Sequence, residues 1–177
     1  MAAVAQTVPS LISMEEYLRT AYHPDCDFVD GRLEERTMGT PKHGLLQMQL
    51  GYWFISHQAD WRVRVMSEVR TRVSETRVRL PDVCVVPMEG ASAGEIRVTP
   101  PLLAIEILSP DDRMNRVIER LDDFLAMGAA HLWVLDPEER TAYTYTAEGL
   151  KLVKTPELRV PDSPIYVNLV ELFSALD

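Results

Sequence analysis

The run Leu102-Leu103-Ala104-Ile105-Glu106-Ile107-Leu108 sets a single ionisable residue in an otherwise apolar stretch that Ser109-Pro110 closes. A run of this length and composition reads as a buried strand. A carboxylate in such a strand is costly unless a cation or hydrogen bonds compensate it, which makes Glu106 a candidate site residue. Asp82 has a similar setting, within Val78-Arg79-Leu80-Pro81-Asp82-Val83-Cys84-Val85-Val86, which also reads as a strand. Two acids on neighbouring strands outline a metal site.

The chain, 177 residues long, suits one domain over 13–177 behind a flexible N-terminus, 1–12. Met1 to Pro9 lacks the basic start of a signal peptide, and no segment has the apolar length to span a bilayer. The expectation is a soluble, cytoplasmic protein without a membrane partner. Cys26 and Cys84 belong to no ligand pattern and read as reduced structural thiols. A net charge of −9 argues against a protein that coats nucleic acid indiscriminately. It leaves room for a local basic surface, and Arg62, Arg64, Arg70, Arg72, Arg77 and Arg79 fall close together. On a hairpin their outward face would suit phosphate contacts, or would simply be a solvated strand face.

Ser13-Met14-Glu15-Glu16 has capping-box spacing and predicts a helix from Met14 to about Tyr22. Two short strands, Cys26 to Val29 and Arg32 to Arg36, flank the turn dipeptide Asp30-Gly31. Leu46, Leu50, Trp53 and Phe54 predict an amphipathic helix from His43 to about Gln58. Alternation through Val63, Val65, Val69 and Val73 predicts a half-buried strand, with a turn at Ser74-Glu75-Thr76 and a return from Arg77 to Val86. Glu68 faces away from those valines. After a loop of small residues, Glu89 to Glu95, comes the Glu106 strand, then a helix from about Arg113 to Met127 with Met114, Val117, Ile118, Leu121 and Leu125 as its core stripe. A strand from His131 to Leu135, a hairpin of Thr141 to Tyr145 with Leu150 to Val153, and a closing helix from Val167 to Leu176 complete the order. The fold class is a mixed α/β sheet with helices packed on it.

Asp27-Phe28-Val29-Asp30-Gly31, His43 opening a helix, Pro81-Asp82-Val83, Glu106-Ile107-Leu108-Ser109-Pro110 with Arg113, and Trp133-Val134-Leu135-Asp136-Pro137 occur in an order and spacing that carries a resemblance. From about Ser13 to Tyr145 the chain resembles the PD-(D/E)xK superfamily of restriction-endonuclease-like proteins. Within it, the chain looks like the bacterial family of proposed endonucleases first catalogued as a domain of unknown function. The resemblance implies a core of helix, three strands, helix and strand. It also implies a divalent metal, magnesium or manganese, held by Asp82, Glu106 and the backbone carbonyl of Ile107. His43 would approach that metal or its water, Asp27 is a possible third acid, and Glu68 and Arg113 are candidates for the same pocket or for phosphate contact. Oxygen ligands suit a hard cation that activates water and neutralises charge on phosphorus.

One departure bears on activity. The superfamily lysine follows the second acid by two residues, where this chain has Leu108. In the resembling family a lysine is often found in the next helix instead, and Arg120 aligns with it. At 100° per residue Arg113 and Arg120 share a helix edge beside Val117 and Phe124. Arginine binds phosphate but stays protonated and is a poor base. The leading reading is a metal-dependent endonuclease acting on DNA, with a two-fold homodimer suited to cutting both strands. The alternatives are a catalytically inactive nuclease fold that binds metal, nucleic acid or a protein partner, and an interaction subunit whose arginines meet an acidic partner.

Overall fold

A computed structural model describes residues 11–37, 39–90 and 96–177. The expected flexible start, up to residue 10, and most of the small-residue loop, 91–95, lie outside the described residues. The elements are α1 (Met14–Arg19), β1 (Asp27–Val29), β2 (Arg32–Glu34), α2 (Pro41–Trp61), β3 (Val63–Met66), β4 (Thr71–Arg72), β5 (Arg77–Arg79), β6 (Val83–Pro87), β7 (Leu103–Ile107), α3 (Met114–Met127), β8 (His131–Asp136), β9 (Thr141–Thr146), β10 (Gly149–Leu152), β11 (Glu157–Arg159), β12 (Tyr166–Asn168) and α4 (Leu169–Ser174).

Local chemistry sets the boundaries. Ser13 Oγ accepts the Glu16 N–H at 3.0 Å and starts α1, and Thr40 Oγ1 accepts the His43 N–H at 3.3 Å ahead of Pro41, the first residue of α2. Asp30 and Gly31, both at positive φ, make the β1–β2 turn, and Gly128 at φ +99 ends α3.

The main sheet has six strands in the order β10-β9-β8-β7-β6-β3. β3, β6 and β7 pair antiparallel, and β8 runs parallel to β7, with α3 as the crossover between them. This reproduces the expected helix, three-strand, helix, strand core as α2, β3, β6, β7, α3 and β8. Both faces are covered, which is why β7 is an apolar run and does not alternate. Leu103, Ile105 and Ile107 join Val83, Val85, Trp133 and Leu135 in the core that contains Leu46, Leu50 and Phe54 of α2 and Leu172 and Phe173 of α4. On the opposite face Ala104, Leu132 and Val134 pack with Val117, Leu121 and Phe124 of α3. Glu106, alternating with its neighbours, belongs to that α3-facing side.

The expected long hairpin needs correction. Its strands break at Ser67-Glu68 on one arm and at Leu80-Pro81-Asp82 on the other, so β4 and β5 leave the main sheet and join a four-stranded sheet, β2-β1-β5-β4. Proline at 81 cannot donate a ladder hydrogen bond, and Glu68 adopts φ +53, which turns the opposite arm at the same level. The Glu68 N–H donates to Pro81 O at 3.0 Å and ties the two breaks together. Asp82 therefore stands at the seam between two sheets.

Other corrections are smaller. α1 stops at Arg19, where the Thr20 hydroxyl bonds back to Glu16 O. In α3 Phe124 is buried and Met114 is exposed, because the buried stripe lies one step around from the expected one. The closing helix is preceded by a strand, β12, that pairs with β11, and α4 starts only at Leu169 with Asn168 as its cap. Cys26 and Cys84 are free and buried. Among the described residues no helix is long and apolar enough to cross a membrane.

Of the grouped arginines, Arg64 and Arg72 stay exposed, as on a solvated strand face, while the other four meet carboxylates. Arg62 pairs with Glu89, Arg70 with Asp25, and Arg77 with Asp30, Glu119 and Asp123. The Arg79 side chain, 1 % exposed, is enclosed by Asp27 at 3.1 Å, Glu34 at 3.0 Å and Asp123 at 2.7 Å. It thereby links β5 to β1, β2 and α3. Its removal would leave Asp27 buried without its cation. Arg79→Met is expected to cost about 3–5 kcal/mol in urea unfolding. A loss below about 1 kcal/mol would mean that water replaces the network at little cost.

Candidate active site

The β6–β7 register pairs Val83 with Ile105, and continuing it sets Asp82 opposite Glu106. Both are nearly inaccessible, at 3 % and 1 % exposed. The Ile107 N–H donates to Asp82 Oδ2 at 2.7 Å, while the Gln47 side chain donates to the Asp82 carbonyl at 3.0 Å. Four elements thus converge on the seam: β6, β7, α2 and α3.

Each acid has its own guanidinium. Arg36, just beyond β2, donates through Nη2 to Asp82 Oδ1, and its Nη1 lies 3.5 Å from Glu68 Oε1. Arg120 of α3 has Nε 3.1 Å from Glu106 Oε2. That contact is ionic without hydrogen-bond alignment, and among the described residues both Arg120 Nε and Glu106 Oε1 are buried without a hydrogen-bond partner. His43 Nε2, in the first turn of α2, is 3.2 Å from Asp82 Oδ2.

These contacts separate the titrations of the two acids. Burial pushes Glu106 up to about 7 against the pull of Arg120, and the Asp82 charge pushes the same way as burial. Asp82 is equally buried, yet its hydrogen bond from His43 and the charge of Arg36 outweigh burial and hold it below the usual carboxylate range. Burial lowers the His43 pKa, but the Asp82 partnership wins and raises it overall.

Of the residues singled out in the sequence, Asp82, Glu106, His43, Arg120 and Ile107 come together. Asp27 is buried nearby, but Arg79 and the Leu80 N–H take its oxygens. Among the described residues, Glu68 touches the cluster through Arg36. Arg113 caps α3 from an exposed position and makes no side-chain hydrogen bond or ion pair among the described residues. Its neighbour along the predicted edge, Arg120, lies two turns deeper, where the helix passes over Glu106.

Arg36, Gln47 and Asp112 went unread in the sequence. Asp112 accepts the Ser109 N–H at 2.7 Å and the Thr37 hydroxyl at 2.7 Å, fixing the turn after β7 against the segment that carries Arg36. An aspartate three residues after a serine in a Ser-Pro-Asp-Asp turn was a usable signal for Asp112. Arg36 had none, since its partner is 46 residues away.

Arg36, Thr37, His43, Asp82, Ile107, Ser109, Asp112 and Arg120 surround a void of about 10 Å³, the scale of one water or one ion. A cleft of about 510 Å³ opens beside it, lined by Arg36, His43, Gln47, Glu68 and Asp82. Among the described residues no three His, Cys, Asp or Glu side chains form a ready cation cage. The oxygen donors that fit a hard cation are the two carboxylates, and the orphaned Glu106 Oε1 is the acceptor left open for one.

A family model described as "Putative restriction endonuclease", Uma2, matches residues 14–173. The chain belongs to the Uma2 family. Among solved structures, the Uma2 chain is similar to one described as a putative nuclease belonging to DUF820 from Anabaena variabilis ATCC 29413. The identity is 23 %, with 94 % of this chain and 99 % of that one covered and a TM-score of 0.81. This likeness shows the fold, and family membership supports a restriction-endonuclease-like nuclease. No curated protein matches the chain.

A raised folded-state pKa on a carboxylate contributes stability below the usual carboxylate range, and that contribution is lost as pH rises through the folded value. Unfolding measured in metal-free buffer is therefore expected to show wild type losing on the order of 2 kcal/mol more than Glu106→Gln between about pH 5 and pH 8. Identical slopes would mean that Glu106 stays ionised throughout.

Proposed function

We propose that this Uma2 protein is a divalent-metal-dependent endonuclease that hydrolyses DNA, with Asp82, Glu106 and the Ile107 carbonyl as the metal ligands. The observation that carries the reading is the pair of buried acids facing each other at the β6–β7 seam, one of them with an unpartnered oxygen. Restriction-endonuclease-like proteins generally use divalent metals, and magnesium or manganese suits an all-oxygen donor set. When bound, such an ion supplies a more acidic water and charge neutralisation at the phosphate.

The chain's own residues do the rest. Asp82 is held in its ionised form by His43, Arg36 and the Ile107 N–H, so it is a preorganised ligand at neutral pH. Glu106 is the softer partner, drawn to ionise by any added positive charge. Arg120 stays protonated and, beside Glu106, is suited to stabilising the charge that builds on a scissile phosphate. Asp112 and Thr37 position the loop edge of the cleft. A homodimer is supported by the exposed stripe Leu45, Met48, Tyr52 and Ile55 along α2, beside the site. A cytoplasmic location fits a DNA substrate.

A second reading, a nuclease fold that binds without turnover, is favoured by Leu108. This residue is half-buried with the α3 core where the superfamily has its lysine. Plasmid nicking with magnesium or manganese separates the two. In the enzyme reading Asp82→Ala and Glu106→Ala each lose on the order of 10²-fold or more in rate while keeping the wild-type circular dichroism spectrum. Equal nicking by wild type and both variants would sink the assignment. Metal binding that depends on Glu106 without any nicking would select the second reading.

A further inference from the structure

The two guanidiniums on the two acids are not equivalent. Arg120 projects from the middle of α3, and Glu106 is its only ion-pair partner among the described residues. Arg36 follows the end of β2, lines both the small void and the open cleft, and has two acids within reach. One is Asp82, whose side chain is 4 % exposed; the other is Glu68, whose side chain is 55 % exposed.

Asp82 Oδ1 is taken by Arg36, while Oδ2 is taken by His43 and the Ile107 N–H. A guanidinium and a divalent cation repel, and they compete for the same carboxylate oxygen. A cation ligated through Asp82 Oδ1 competes with Arg36 for that oxygen and repels its charge, and Glu68 is where the displaced charge has a counter-ion. The backbone there is built for that position: Glu68 is held at φ +53, a left-handed conformation that costs about 1 kcal/mol or more outside glycine. Its N–H is bonded to Pro81, the residue before Asp82, and its side chain lies where three clefts meet.

Resting on the nuclease reading, the geometry points to Arg36 as an exchangeable counter-ion, which neutralises Asp82 in the metal-free protein and moves to Glu68 and a substrate phosphate when Asp82 takes a cation. The planar fork that now spans two carboxylates is the same one that grips a phosphate. Metal and phosphate would thus be coupled through one side chain: each makes room for, or recruits, the other. The device also keeps two buried acids from repelling each other before the metal arrives.

The test is Mn²⁺ affinity of DNA-free protein, read by calorimetry or by the electron paramagnetic resonance signal of free Mn²⁺, with E106A as the binding-deficient control. R36Q, which removes the competitor, is expected to bind Mn²⁺ about tenfold more tightly than wild type. E68Q, which removes the alternative partner of Arg36, is expected to bind it several-fold more weakly. In the R36Q background E68Q is expected to have no effect, because Glu68 acts through Arg36. Equal or weaker binding by R36Q overturns the proposal, as does an E68Q effect of undiminished size in the double variant. Should R36Q fail to fold, unchanged affinity in E68Q overturns it alone. No Mn²⁺ binding by wild type or by R36Q overturns the nuclease reading together with this one, whereas binding of equal affinity overturns only this one.

Discussion

Buried charge governs this molecule more than any other constraint. Asp27, Asp82 and Glu106 lie within a few residues of the sheet seam, each almost closed to water, and each faces a different arginine: Arg79, Arg36 and Arg120. An uncompensated carboxylate in such a place would be protonated or would unfold the chain. The pairings decide which elements must touch. Arg79 binds β5 to β1, β2 and α3, Arg36 binds the end of β2 to β6, and Arg120 binds α3 to β7. The apolar cores on the two faces supply the driving force, but the ion pairs fix how the small sheet sits against the large one.

The same pairings make the three acids chemically distinct. Asp27 has its oxygens saturated by Arg79 and a backbone N–H, which suits a structural role. Asp82 has both oxygens engaged, by Arg36 on one and by His43 and the Ile107 N–H on the other. Glu106 retains an open oxygen, and burial raises its pKa as it raises that of Asp27. A gradient from saturated to open, across one layer of side chains, separates scaffold from chemistry without separating them in space.

What the sequence disclosed follows from range. Glu106 was legible because an acid inside Leu102 to Leu108 violates the local pattern, and Asp82 because Pro81 and the flanking valines mark it in the same way. α2, α3 and the Asp30-Gly31 turn were legible because caps and periodicity are local signals. The break at Ser67-Glu68 was not, since alternation of valines continues through Val65, Val69 and Val73 while the backbone changes sheets. Arg79 was read as outward for the same reason: the strand pattern records which residues alternate, and Asp27, Glu34 and Asp123, which draw it inward, come from distant elements. Arg36 is the clearest case, a residue whose role exists only once Asp82 and Glu68 have been folded against it.

Leu108 connects these observations. Its N–H bonds to Leu135 O, as any residue but proline could, and its side chain packs beside the α3 core, so the side chain two residues after Glu106 serves packing. The positive charge is supplied instead from outside the strand, by Arg120 above and Arg36 beside. This changes the chemistry available, because a lysine can lose its proton when buried and an arginine does not. The bond from His43 to Asp82 raises the His43 pKa and so favours its protonated form. Under the proposed function, proton removal from an attacking water would fall to groups other than the two arginines, which are confined to electrostatics.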